Sequence, residues 1–385
     1  MSAALTPECE DELADAVANA VREDGRLAIT GGGSKQGVGA PVEARTLSMA
    51  RFRGVIDYDP AELVLTVRAG TPLADVIALV TSEEQMLAFE PFDHGPIYGQ
   101  PKGQATIGGV VAAGIAGTQR VSHGGARDHL LGFRAVSGRG EVFVAGAKVV
   151  KNVTGYDLPK LAAGSWGRLF AMTELTLKVM PRPRVVATRM VEGLDDVQAI
   201  RAMAIAMGSQ AEVAAAAHIP ASLRQGPAVT FFRIQGFGPS VVARCTMLEK
   251  LLGEMGTVIA PEETEARALW SDLQTLAPLG GEACLWRVNV PPSAMSAVVK
   301  ALAPLGARWL CDWAGGLLWL AFDGNPAAVR SAAAEAGGHA MLIRADISIR
   351  TAVPAFHPAK PGVAALEERV RRAFDPAGLF ETGRF

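Results

Sequence analysis

Three short segments hold the residues best able to do chemistry. The first is Thr30-Gly31-Gly32-Gly33-Ser34-Lys35. Consecutive glycines bring several backbone N–H groups to one side of a turn, and such nests bind anions. Position 36 is Gln, so the run is not the dinucleotide fingerprint G-x-G-x-x-G. No Gly-Lys-Ser/Thr follows to make a Walker loop. By itself the run suits an ordinary tight turn as well as an anion site. The second segment is Gly103-Gln104-Ala105-Thr106-Ile107-Gly108-Gly109. Here a loop enters a helix whose first-turn N–H groups have no partner inside the helix. Gly108 and Gly109 would let a phosphate approach that positive end. The same small residues, with Ala112, Ala113, Gly114 and Ala116, also suit close helix packing. The third segment runs from Lys148 through Asn152, Gly155, Tyr156 and Asp157 to Gly164-Ser165-Trp166-Gly167. It mixes polar groups with glycine just before a long strand. That offers backbone donors to a flat heteroaromatic ring, or makes a surface loop. Lys35 is placed to neutralise a phosphate or to be solvated.

Acid–base and metal chemistry have fewer candidates. The histidines are 94, 123, 129, 218, 339 and 357, and none forms a metal-ligand cluster. His218, beside Pro220, reads as a surface or loop histidine. His94 lies in a Pro/Gly loop. His339 and Arg344, in a strand-like stretch, are the candidates for a proton acceptor and an anion-holding cation. Cys9, Cys245, Cys284 and Cys311 stand alone, with no CxxC pair. An iron–sulfur cluster needs grouped thiolates, so none is expected, and neither is a disulfide framework. Trp286, Trp309, Trp313 and Trp319 read as core.

The elements that must position these groups follow from periodicity. Glu10 to Val21 has helical spacing. Leu27 to Thr30 is a short strand running into the first glycine loop, and Leu63 to Val67 is a second strand. Thr71-Pro72 opens a helix through Val80. Phe89 to Gly103 reads as loop, and Thr106 to Gly117 as a tight helix of small residues. Val142 to Val144 and Leu169 to Val179 read as strands. Pro181-Arg182-Pro183 cannot continue a ladder and marks a boundary. Helices near 197–207, 241–255 and 293–305 then alternate with strands near 229–234, 284–290 and 309–322, which suggests a sheet covered by helices. A last helix spans Val363 to Phe374.

The chain has 385 residues, which suits two domains, and its 49 % apolar content is ample for two cores. Lys and Arg total 37 against 39 Asp and Glu, for a net charge of −2, so there is no basic excess for a nucleic-acid backbone. No stretch of about 20 apolar residues is present, and Met1 to Glu12 does not read as a signal peptide. A soluble protein is expected, with no metal and no direct membrane insertion.

The three segments, in this order and spacing, resemble the FAD domain of the vanillyl-alcohol oxidase and p-cresol methylhydroxylase family. A narrower resemblance is to the E-type subunits of bacterial glycolate oxidase. It is carried by 31–35, 105–109, Arg127-Asp128-His129-Leu130-Leu131-Gly132, 149–158 and 161–167, and more weakly by Gly337-Gly338-His339-Ala340 and Phe374-Asp375-Pro376-Ala377-Gly378. The resemblance implies an α+β fold of two lobes. An FAD-binding domain would span 1–182, an α+β cap 183–349, and a C-terminal return 350–385. It implies that Gly31 to Ser34 and Thr106 to Gly109 cradle the FAD pyrophosphate. Gly155 and Asp157, with Tyr156 and Gly164 alongside, would lie near the flavin, and the backbone from Phe170 to Thr173 near the adenine. Many relatives attach FAD through a histidine in the first loop; Ser34 and Lys35 stand here instead, so FAD is expected to be non-covalent. The family tail ends Asn-Pro-Gly-Arg where this chain has Glu381-Thr382-Gly383-Arg384. Related single-chain 2-hydroxy acid dehydrogenases carry a histidine cluster in the second domain that is missing here. The expected function is therefore that of an FAD-binding subunit in a complex that oxidises glycolate or D-lactate. A sister FAD-binding catalytic subunit and an iron–sulfur subunit would lead to a quinone-type acceptor. The location would be cytoplasmic, or peripheral at the inner membrane through partners. A self-sufficient FAD-dependent dehydrogenase and a flavin-fold scaffold with no catalytic site are the alternatives.

Overall fold

The computed structural model describes residues 3–147, 155–281 and 284–385. The helix Glu10–Arg22 opens the chain and buries Leu13, Val17 and Ala20 on one face. Its first turn carries Glu10, Asp11 and Glu12, which complement the positive helix end. The strand Leu27–Thr30 pairs in parallel with Arg45–Ser48. Beside this pair lies a five-stranded antiparallel sheet in the spatial order Val55–Asp59, Val64–Arg68, Phe170–Lys178, Leu130–Ser137, Val142–Gly146. The helices Leu73–Ser82 and Ile107–Ala113 bury Val76, Val80, Ile107 and Val110 in the core of this lobe.

The tight helix is shorter than its small-residue pattern predicts. It stops at Ala113 because Gly114 takes the left-handed conformation, with φ of 62°, and caps it. The segment 89–103 is mostly loop but folds one 3-10 turn, Gly95–Tyr98. The strand Leu130–Ser137 had no clear sequence signal, since Gly132 and Arg134 interrupt its apolar run.

The second sheet has eight strands, all drawn from residues 185 to 344. Their spatial order is Val258–Ile259, Val185–Glu192, Val229–Gly236, Ala215–Ile219, Arg308–Asp312, Leu317–Ala321, Leu285–Asn289, His339–Arg344. One face is covered by the helices Asp196–Met207, Gly238–Leu252, Met295–Leu302 and Pro326–Glu335, with Trp286 and Trp309 in that core. The other face meets the first lobe, where Phe231, Leu310, Trp313 and Trp319 pack with Val38 and Ile97. His218 corrects the surface reading. It is 1 % exposed, in the strand Ala215–Ile219, with Nδ1 2.9 Å from Thr230 Oγ1. Burial pushes its imidazole down to about 4, so it is neutral.

The chain then returns to the first lobe. Phe374, at the end of the helix Pro361–Phe374, packs on Phe143 and Phe170. The Leu27 N–H donates to the Leu379 carbonyl at 2.9 Å. The Asp375 carboxylate accepts the N–H groups of Leu379 and Phe380 at 2.9 and 2.8 Å, which shapes the turn.

Candidate functional site

The strand Leu27–Thr30 delivers the first glycine loop to the edge of the second. A Cβ added at Gly32 would sit 1.4 Å from the Gln104 carbonyl oxygen, and one at Gly31 would sit 2.2 Å from Thr106 Oγ1. Gly32 meets backbone and Gly31 the Thr106 side chain, so a Cβ at either position forces its neighbour to move. Gly108 is required for a different reason: its Cβ would fall 2.7 Å from Ala69, where the helix lies on the end of a sheet strand. The two bends form the wall of one cleft. Thr30 to Lys35, Thr106, Gly108, Gly109 and Phe170 all line it.

The donors differ from the sequence expectation. The first N–H groups of the helix Ile107–Ala113 are already used. Ile107 donates to Thr71 O at 3.0 Å, Gly108 to Ala69 O at 2.8 Å, and Gly109 to Thr106 Oγ1 at 3.3 Å. This helix end therefore offers close approach, not unpaired N–H groups. In the first loop, by contrast, no N–H from Gly31 to Lys35 donates to any acceptor among the described residues. Lys35 lines the same cleft. Among the described residues its ammonium reaches only Ser34 Oγ, at 3.3 Å, and burial pushes its pKa down to about 8 against the pull of Asp93. Unspent N–H groups beside a buried, unpaired ammonium call for an anion. Ala112, Ala113, Trp166 and Met172 give the remainder of the cleft an apolar lining suited to flat rings. The residues present thus fit an anionic dinucleotide with aromatic ends.

The other sequence-predicted residues are placed as follows. Ile107 is fully buried beneath the cleft. Gly103 lies in the preceding loop, its N–H donating to Asp93 Oδ2 at 2.9 Å. Gly164 donates to Val111 O at 3.1 Å and is absent from the cleft lining. Gly155 and Asp157 are exposed, Tyr156 is 92 % exposed, and Asp157 pairs with Lys160. Lys148 to Thr154, which include Asn152, lie outside the described residues. His339 and Arg344 stand at opposite ends of one strand, and neither lines the cleft. Arg344 ties the lobes together, donating to Ile97 O at 2.7 Å and to Gly280 O at 2.9 Å.

Sequence reasoning missed several cleft residues. Met172 could have been found, because it shares a strand face with Phe170 two residues away. Met49, Ala69 and Arg384 carry no local signal; tertiary folding alone brings them in. His94 is 4 % exposed, stacks on Phe92 at 4.9 Å, and its buried Nδ1 has no partner among the described residues. Burial, then Lys35 and Arg287, hold it well below the ordinary imidazole pKa, so it is neutral.

A two-lobed α+β chain with a glycine-walled cleft in its first lobe is a flavoprotein fold of the p-cresol methylhydroxylase type. The solved structure of p-cresol methylhydroxylase with substrate bound superposes with a TM-score of 0.68 at 14 % identity, covering 99 % of this chain and 88 % of that one. A family model described as FAD binding domain matches residues 1–146. The glycolate oxidase subunit GlcE of Escherichia coli (strain K12) is 34 % identical over 382 residues, 98 % of each chain. The chain therefore belongs to the GlcE family of glycolate oxidase subunits. The glycolate oxidase subunit GlcD of Bacillus subtilis (strain 168) is 28 % identical over 284 residues, 66 % of this chain and 57 % of that protein.

Proposed function

We propose that this chain is the FAD-binding subunit of a multi-subunit complex that oxidises glycolate or D-lactate to the 2-oxo acid. One observation carries the reading: among the described residues the N–H groups of Gly31 to Lys35 have no acceptor, the Lys35 ammonium has no carboxylate partner, and both share one cleft. These groups would hold the FAD diphosphate, and the apolar walls around Ala112, Trp166 and Met172 would take its rings and exclude water. Bound there, the flavin supplies two-electron oxidation chemistry. Ser34 and Lys35 stand where relatives carry an attaching histidine, so FAD is held without a covalent bond.

The partners are a sister FAD-binding subunit and an iron–sulfur subunit leading to a quinone-type acceptor. The similarity to GlcD supports the first. Four separate cysteines, three of them buried, support an electron outlet on another chain. They also suit a reducing compartment, and we place the complex in the cytoplasm or at the inner membrane through its partners. No described helix is long and apolar enough to cross a membrane.

The purified chain tests this. It is expected to be yellow, and acid precipitation should release the colour to the supernatant. A chain that refuses FAD under all loading conditions would overturn the cofactor reading. Colour remaining with the precipitate would overturn the non-covalent one.

A further inference from the structure

We propose that the interface between the lobes carries a subsite for a small carboxylate, formed by Arg287 and Arg120 around Trp313. Its role as anchor for the oxidised acid rests on the function proposed above; the site itself does not.

The strand Leu285–Asn289 alternates. Trp286 and Val288 enter the helix-covered core, whereas Leu285 faces the first lobe. Arg287 shares that second face and lies in register with Trp319 and Met341, both also on the first-lobe side. A guanidinium is thereby set deep between the lobes. Other interface arginines are answered there. Arg233 meets the Glu90 carboxylate, and Arg350 donates to Gly39 O at 2.8 Å. Arg287 has no hydrogen-bond acceptor and no ion pair among the described residues. What it has is the face of Trp313, 5.1 Å from the ring centre. Arg120 lies over the same ring at 4.6 Å.

Two cations on one indole repel each other, and among the described residues no carboxylate within ion-pair distance offsets that. Asp312 attracts Arg287 from farther away, but burial raises its own pKa to about 7. Burial, followed by repulsion from Arg120, lowers Arg287 to about 10. An anion between the two guanidiniums would relieve both penalties, and the planar fork of arginine matches a carboxylate.

The indole is held firmly for this task. Its Nε1 donates to Gly117 O at 2.9 Å, and its backbone N–H donates to Asp312 Oδ1 at 2.7 Å. Trp313 and Ala314 both take positive φ, 52° and 54°, a strained pair that only a demanding placement retains. Arg120 is exposed, so the pair of guanidiniums is open to solvent at that end.

The full-length chain can be titrated with glycolate and with oxalate, following tryptophan fluorescence and heat. A saturable response is expected, with none to neutral methyl glycolate. Arg287→Met should weaken binding about ten-fold or more, and Arg287→Lys, which keeps the charge but loses the fork, by less. If the Met variant does not fold, the Lys variant alone decides. No saturable response in the unaltered chain, or a Lys variant that binds as tightly as it, overturns the proposal. So does inorganic sulfate binding as tightly as glycolate. The site is made of protein groups only, so it is titrated whether or not flavin is present. A colourless chain that binds glycolate sinks the flavin reading alone; a yellow chain that ignores it sinks this subsite alone.

Discussion

Lys35 places its ammonium in the cleft with a serine hydroxyl as its one hydrogen-bond partner among the described residues. Its pKa falls from 10.5 to about 8, so between those values the unfolded chain binds more protons than the folded one. Without cofactor, stability therefore rises with pH across that window. A bound diphosphate favours the ammonium, so FAD affinity should fall as pH climbs above about 8. Flavin fluorescence titrations at several pH values are expected to show this slope in the native chain and a flat profile in Lys35→Met. An equal slope in the variant would assign the effect elsewhere. Gly32 makes a harsher demand. Gly32→Ala would place a methyl 1.4 Å from the Gln104 carbonyl oxygen, so the two loops must part. Overpacking of this kind costs about 1–3 kcal/mol, and FAD retention should drop at least about ten-fold, read as the flavin-to-protein ratio after gel filtration.

At the scale of elements, the two glycine bends divide the work unequally. The helix Ile107–Ala113 spends its first N–H groups on Thr71, Ala69 and Thr106, and its glycines serve packing. The loop after the strand Leu27–Thr30 keeps its N–H groups unspent. That division could not be read from the sequence, because both segments are glycine-rich and two of the helix's acceptors, Thr71 and Ala69, are brought to it from a distant stretch of chain. The helix Asp196–Met207 shows the opposite case, a fully local signal. Asp195 Oδ1 accepts the Gln198 N–H at 2.8 Å, and Gln198 Oε1 accepts the Asp195 N–H at 3.0 Å, a reciprocal cap. Asp195→Ala should cost about 1 kcal/mol in the urea midpoint and leave FAD content unchanged. Loss of flavin in that variant would show that the cap helices reach the cofactor.

Across the whole molecule, the lobes are joined by buried polar contacts as well as by apolar packing. Arg233, from the cap sheet, pairs with Glu90 of the first lobe and lies over Trp270. Burial alone would raise the Glu90 carboxyl, but Arg233, Gln119 and Thr118 outweigh it and hold the pKa below 4.5. A depressed folded pKa gives stability that is present above the ordinary carboxyl value and lost as pH falls through the folded one. Arg233→Met leaves that carboxylate without its cation, which should cost about 3 kcal/mol near neutral pH and, by raising the folded carboxyl pKa, shrink the loss of stability on acidification. Urea midpoints measured from pH 6 downward check both effects. An unchanged midpoint would mean that apolar contact alone joins the lobes.

The sequence by itself determined what depends on neighbours along the chain. Strand Leu27–Thr30 running into Gly31-Gly32-Gly33 could be read from it, as could the helix from Thr71-Pro72; Pro181, by contrast, pairs with Gln85 in a short ladder instead of breaking one. So could the family, because the glycine segments carry it in order. Tertiary structure decided which of those segments keeps its N–H groups unpaired. It also decided that His218 is buried, that Arg384 returns to the cleft, and that Arg287 and Arg120 share one indole. The physical reason is common to all four: desolvation and hydrogen-bond satisfaction are set by partners far away in sequence, and periodicity cannot see them.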